Sequence, residues 1–166
     1  MLGEFAATFA KVSEDKANKC VMIDRHLDVV DFDTYKERVA SKFVPLMLPK
    51  SCDALWYADG LFYLIEFKNG TVNGRELWTK VFDSLLLLTE ALDSTIEYTR
   101  ENLVFVLVCQ DDVYRSIIRD WISQRTRGTK DRESLGNLKR GLEKIYFKEV
   151  LVCNPTEFLA KFPDLS

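Results

Sequence analysis

Histidine is nearly missing from this chain. His26 is the one histidine in 166 residues, so a Ser/His/Asp or Cys/His catalytic set has a single possible base. No serine stands in the strand-turn-helix elbow that such a nucleophile needs. Cysteine is sparse too: Cys20, Cys52, Cys109 and Cys153 are far apart, with no CxxC pair and no Cys/His cluster of the kind that holds zinc. Reduced thiols in a cytoplasmic protein are the expectation. Glycine is scarce where phosphate loops would need it. The stretch Gly70-Thr71-Val72-Asn73-Gly74 is neither a Walker loop nor a dinucleotide fingerprint, which disfavours P-loop nucleotide hydrolysis. No basic-then-apolar leader is visible, and the longest apolar run, near Leu85, is far too short to span a bilayer. Neither export nor membrane insertion is expected.

Hydrophobic residues make up 47% of the chain, enough to bury a substantial core in a single domain over residues 1–166. The net charge of -3 is unevenly spread. Arg115 to Lys148 holds ten Lys or Arg against four Asp or Glu, whereas Met1 to Tyr114 holds twelve against nineteen. Within the basic block, Arg125, Arg127, Lys130 and Arg132 lie near Gly128 and Gly136. Cations clustered beside glycines can follow a phosphate backbone, although a solvated loop and helix surface has the same composition.

Periodicity predicts the elements. Glu4 to about Cys20 is helix-prone, and a second helix begins at Asp33-Thr34 with Tyr35, Val39 and Phe43. Pro45 and Pro49 then break the chain into a loop that leads to the next strand. Arg75 to about Leu92 carries Leu77, Val81, Leu85 and Leu88 at helical spacing, and Asn102 to Gln110 reads as a buried strand. A helix with Ile117 and Trp121, a strand at Ile145 to Cys153 and a terminal helix around Phe158 complete the order. That succession argues an α/β fold with a mixed central β-sheet flanked by helices. Trp56, Trp78 and Trp121 fall on regular elements, where aromatics are more often core than base-stacking platforms.

The chemistry concentrates between Ser51 and Gly70. Two β-prone runs flank Asp59-Gly60, the strongest short hairpin signal. A two-residue turn there puts Ala58 opposite Leu61 and Tyr57 opposite Phe62, and the register carried down places Asp53 opposite Glu66. Opposed side chains share a sheet face at about 5 Å between Cβ atoms, and Lys68 returns to that face two residues later. Facing carboxylates repel, so the pairing calls for a compensating cation. A divalent metal would supply it, and oxygen-only ligation suits magnesium or manganese. The competing reading is a solvated charge pair at a strand end, but nearly every residue from Leu61 to Phe67 is apolar, as in a strand covered on both faces.

Asp53, a spacer of twelve residues and then Glu66-Phe67-Lys68 resemble the PD-(D/E)XK nuclease superfamily, with Cys52 in place of the motif's proline. The likeness covers roughly Asp33 to Gln110. It implies a restriction-endonuclease-like fold for a single nuclease-like domain. It also implies a magnesium- or manganese-dependent nuclease acting on nucleic acid, with DNA as the expected substrate, and it is compatible with a homodimer. Asp53, Glu66 and the Phe67 carbonyl would be the metal ligands, and Lys68 the catalytic cation. Members often add an acid from a helix before the hairpin, for which Glu37 is the candidate and Glu4, Glu14, Asp31 and Asp33 are competitors. Arg125, Arg127, Lys130 and Arg132 would contact nucleic acid. The alternative function is a catalytically inactive domain of the same fold that binds nucleic acid or a protein partner.

Overall fold

A computed structural model describes residues 2–42, 48–127 and 135–163, without the side chains of 120–138. Its centre is a six-stranded mixed sheet in the order β1 (Ala6–Thr8), β4 (Asp28–Asp31), β5 (Ala54–Ala58), β6 (Leu61–Lys68), β7 (Leu103–Cys109) and β8 (Glu149–Cys153). The first four of these pair antiparallel, and β6, β7 and β8 run parallel. A separate small hairpin joins β2 (Glu14–Asp15) to β3 (Cys20–Val21). The helices are α1 (Phe9–Val12), α2 (Phe32–Ala40), α3 (Gly74–Ala91), α4 (Ile96–Asn102), α5 (Asp111–Arg127), α6 (Leu135–Leu142) and α7 (Pro155–Lys161). This is the α/β arrangement with a helix-flanked mixed sheet that the sequence predicts.

Alternation along the strands builds two cores. Leu64, Phe105, Leu107 and Val150 face Leu77, Val81, Leu85 and Leu88 of α3 and Phe32 and Tyr35 of α2. Tyr63, Ile65, Val104 and Val106 face the other way, onto Phe9, Ile23, Phe158 and Phe162. Every residue of β7 is buried, as expected of a parallel strand between two helical layers. Trp56 belongs to the second core and Trp78 packs at the margin of the first; the side chain of Trp121 is outside the described set. Among the described residues no helix is long and apolar enough to cross a membrane.

The amino-terminal segment departs from the predicted helix. Leu2–Phe5 is a short 3-10 turn, β1 adds to the sheet edge, and α1 is one turn capped by Thr8. Local hydrogen bonding explains the break. The Asp15 carboxylate accepts the backbone N–H groups of Ala17 and Asn18, and Lys19 adopts φ 50. A side chain that captures nearby amides in this way competes with helix hydrogen bonds, and a left-handed residue ends the run. Helices α4 and α6 are also additional to the predicted order.

Candidate active site

The hairpin forms as its sequence dictates. Asp59 and Gly60 both take positive φ, 51 and 77, the pattern of a type I′ turn whose twist matches its strands. Pairing runs from Ala58↔Leu61 to Ala54↔Ile65. The strand pairing ends there, one pair short of the expected opposition of Asp53 and Glu66. Asp53 is held instead by its own groups. Its N–H donates to the Ile65 carbonyl at 3.0 Å and its carbonyl accepts the Phe32 N–H at 3.1 Å. Its Oδ2 accepts the Phe67 N–H at 2.6 Å, so the aspartate side chain continues the ladder that the backbone abandons.

That hydrogen bond fixes the orientation of Phe67. The N–H and C=O of a strand residue leave on the same side, and the Phe67 N–H points toward the vacated β5 edge. Its carbonyl therefore faces the same edge, while the neighbouring Lys68 carbonyl accepts Gln110 N–H on the β7 side at 3.0 Å.

Glu66 is fully buried on the α3 face of the sheet, and its side chain is 0% exposed. A carboxylate there must be paired or it is prohibitively costly. Lys68 reaches Glu66 Oε1 at 2.9 Å, which is the same-face relation expected at period two. A second cation, Lys80 of α3, lies 2.7 Å from the same Oε1 and 3.6 Å from Asp53 Oδ1. The compensating charge between the carboxylates thus comes from within the chain. Glu66 Oε2 is buried and has no hydrogen-bond partner among the described residues.

The electrostatics follow from this enclosure. Burial first, and the Glu66 carboxylate second, push the Asp53 carboxyl from 3.8 up to about 7, against the pull of Lys80 and the Phe67 N–H. Burial works against the charge on Lys80, but the adjoining Glu66 and Asp53 outweigh it and hold its ammonium above the usual lysine range. Burial also raises the Cys52 thiol well above its ordinary value, leaving it a core group rather than a nucleophile.

Helix α3 positions the rest. Asn73 caps it by accepting Glu76 N–H. The buried Ser84 accepts Cys52 N–H at 2.7 Å, and Asp83 accepts Lys50 N–H at 2.8 Å. The chain entering Asp53 is thereby clamped to the helix that carries Lys80. On the other side, Asp33 in the first turn of α2 accepts hydrogen bonds from Ser51 and Lys36. Its charge adds to the raised position of Asp53.

Glu37, the acid expected from that helix, is exposed and shares no hydrogen bond or ion pair with Asp53 or Glu66. Asp33, one turn earlier, is the α2 acid nearest the pair in effect. Arg125 and Arg127 lie in α5, but their side chains are outside the described set, as are Lys130 and Arg132 altogether. Among the described residues no three His, Cys, Asp or Glu side chains form a metal-holding group. The acids brought together there are Asp53 and Glu66, bridged by Lys80, and the Phe67 carbonyl faces the same strand edge.

Sequence reasoning missed Lys80 and Ser84. Their signal was available: Leu77, Lys80, Ser84 and Leu88 recur at intervals of three and four, which puts a lysine and a serine on the apolar stripe of a helix. The β2–β3 hairpin was missed as well. It docks beside the site, where Asn69 donates to Asp15 at 3.0 Å and Gln110 donates to Cys20 Sγ at 3.4 Å. Those two residues directly follow β6 and β7, the carboxyl ends of parallel strands where α/β sheets commonly bind ligands.

Comparison of the chain with family models, with curated proteins and with solved structures finds no match.

Proposed function

We propose that this chain is a metal-dependent phosphodiesterase of restriction-endonuclease-like fold, acting on nucleic acid, with DNA as the expected substrate. The observation that carries the reading is Glu66 Oε2, a buried carboxylate oxygen without a hydrogen-bond partner among the described residues, close to Asp53, whose Oδ1 lies 3.6 Å from Lys80. A buried acceptor left open costs free energy unless something fills it. The ligands this reading assigns are all oxygen: Glu66 Oε2, Asp53 Oδ1 and the Phe67 carbonyl, which faces the Asp53 edge of β6. That is the chemistry magnesium and manganese prefer, so the residues fit such an ion.

When bound, the ion supplies Lewis acidity toward water and a phosphate oxygen. The protein's own part is positional. Asp53 is locked by three hydrogen bonds and Glu66 by burial, which preorganises the carboxylates. Lys68 keeps 21% exposure and has three N–H donors, of which Glu66 Oε1 engages one. The remaining donors can orient an attacking water or stabilise charge developing on the phosphate. With two carboxylates and two ammonium groups the site is close to neutral, and a bound divalent ion makes it positive, matched to an anionic phosphodiester.

Calorimetric titration with Mn2+ tests the reading. Wild type should bind with a Kd set by the carboxylate pair, and Glu66→Gln should lose that binding while retaining its fold by circular dichroism. Equal binding by both proteins would remove Glu66 from the site and the proposal with it.

The second reading is a catalytically inactive domain of this fold that binds nucleic acid or a protein partner. Lys80 favours it, because the ammonium already neutralises the pair. The two readings part on thermal stability. A site that binds metal only when folded gains about 2.7 kcal/mol at a hundredfold excess over Kd, whereas the inactive domain gains little.

A further inference from the structure

We propose, resting on the metal-dependent reading of this site, that Lys80 is an exchangeable counter-ion. It closes the Asp53 and Glu66 pair when no divalent ion is bound, and moves out of the pair, toward substrate phosphate, when an ion enters. Three observations carry this. Lys80 is the one cation among the described residues within 4.0 Å of both carboxylates, at 2.7 Å from Glu66 Oε1 and 3.6 Å from Asp53 Oδ1, whereas Lys68 meets Glu66. It comes from α3, whereas Glu66 lies in β6 and Asp53 immediately precedes β5, so its tip can move without disturbing the register of β5 and β6. Its side chain keeps 17% exposure, so Lys80 is not sealed off from solvent as Glu66 is.

An ammonium and a divalent ion drawn to the same carboxylate pair repel each other strongly at such separations in a partly buried site. Metal entry must therefore weaken the hold of the carboxylates on Lys80, and that hold must in turn weaken metal binding, because the two effects are one coupling free energy. The freed ammonium remains on the α3 side of the site beside Lys68. A phosphodiester is the anion that then gives it a new partner. The exchange keeps Asp53 compensated in both states, whereas Lys68 remains beside Glu66 throughout.

The test compares Mn2+ binding by wild type, Lys80→Met and Lys80→Arg, using electron paramagnetic resonance for affinity and thermal melting for stability. Lys80→Met should bind Mn2+ roughly tenfold or more tighter than wild type. It should also melt lower without metal and recover a larger part of that loss on adding Mn2+. Lys80→Arg, which keeps the charge, should bind close to wild type. Equal affinity of wild type and Lys80→Met would overturn the exchange while leaving the metal reading intact. Absence of Mn2+ binding in both would overturn the metal reading and this inference together.

A measurement on wild type covers the case in which Lys80→Met fails to fold. Amine labelling at fixed pH, mapped by mass spectrometry, should show Lys80 shielded without metal and more reactive with saturating Mn2+, with the exposed Lys11 unchanged as reference. Labelling of Lys80 that does not rise when Mn2+ is bound contradicts the exchange.

Discussion

Ionisation of Asp53 should leave a measurable imprint on stability. The unfolded chain releases this proton near 3.8, while the folded site holds it up to about 7. The folded state therefore binds more protons than the unfolded state between those values, and stability must fall as pH rises through that window. The contribution is fully present below about pH 4 and lost above about 7. A gap of about three pH units at about 1.4 kcal/mol each sets its size at about 4 kcal/mol. Asp53→Asn isolates the effect, because asparagine stays uncharged and its side-chain oxygen can still accept the Phe67 amide proton. Urea unfolding of metal-free wild type and Asp53→Asn at half-unit intervals from roughly pH 4 to 8 is the assay. The variant should gain on wild type as pH rises, by up to about 4 kcal/mol, and then level off. On the proposed metal reading an ion binding Asp53 displaces the same proton, so Mn2+ affinity of wild type should drop about tenfold for each pH unit below about 7. A stability difference that stays flat across this range would refute the enclosure of Asp53.

Ser84→Ala removes the acceptor of Cys52 N–H and leaves a buried donor unpaired, so it should cost about 1–3 kcal/mol in urea unfolding. Gly141→Ala places a Cβ 2.8 Å from the Trp78 ring; overpacking of about 1–3 kcal/mol should exceed the gain of about 1 kcal/mol in helix propensity, giving a lower melting temperature. Replacing Arg125, Arg127, Lys130 and Arg132 together with serine should flatten the dependence of log affinity for duplex DNA on log salt, by about 0.9 for each phosphate no longer neutralised. An unchanged slope in a folded variant would assign that segment to solvated surface.

The parts of the molecule that are legible in the sequence are those where local chemistry and tertiary packing agree. Asp59-Gly60 demands a tight turn, and the apolar positions of α3 repeat at helical spacing, so hairpin and helix follow from neighbours in sequence. The Glu66 and Lys68 contact follows from strand periodicity alone. The amino-terminal segment misleads because residues from Glu4 to Cys20 are compatible with a helix, while the Asp15 turn and pairing of Ala6 with Val30 decide otherwise. Lys80 is invisible to strand reasoning because it arrives from a helix, and only its place on an apolar stripe betrays it. Glu37 and Asp33 lie one helical turn apart on α2, and no local signal distinguishes which of them approaches the pair.

Cleavage itself tests the central claim most directly. Wild type, Glu66→Gln and Lys68→Ala should be incubated with single-stranded DNA, duplex DNA and RNA in magnesium or manganese, and the products resolved on denaturing gels. Wild type should cleave, and chelation should abolish the cleavage. Either variant should be slower by at least about a hundredfold, the scale of a single electrostatic contribution to a transition state. Folded wild type that leaves all three nucleic acids intact in both metals, or variants that cleave as fast as wild type, would contradict the assignment.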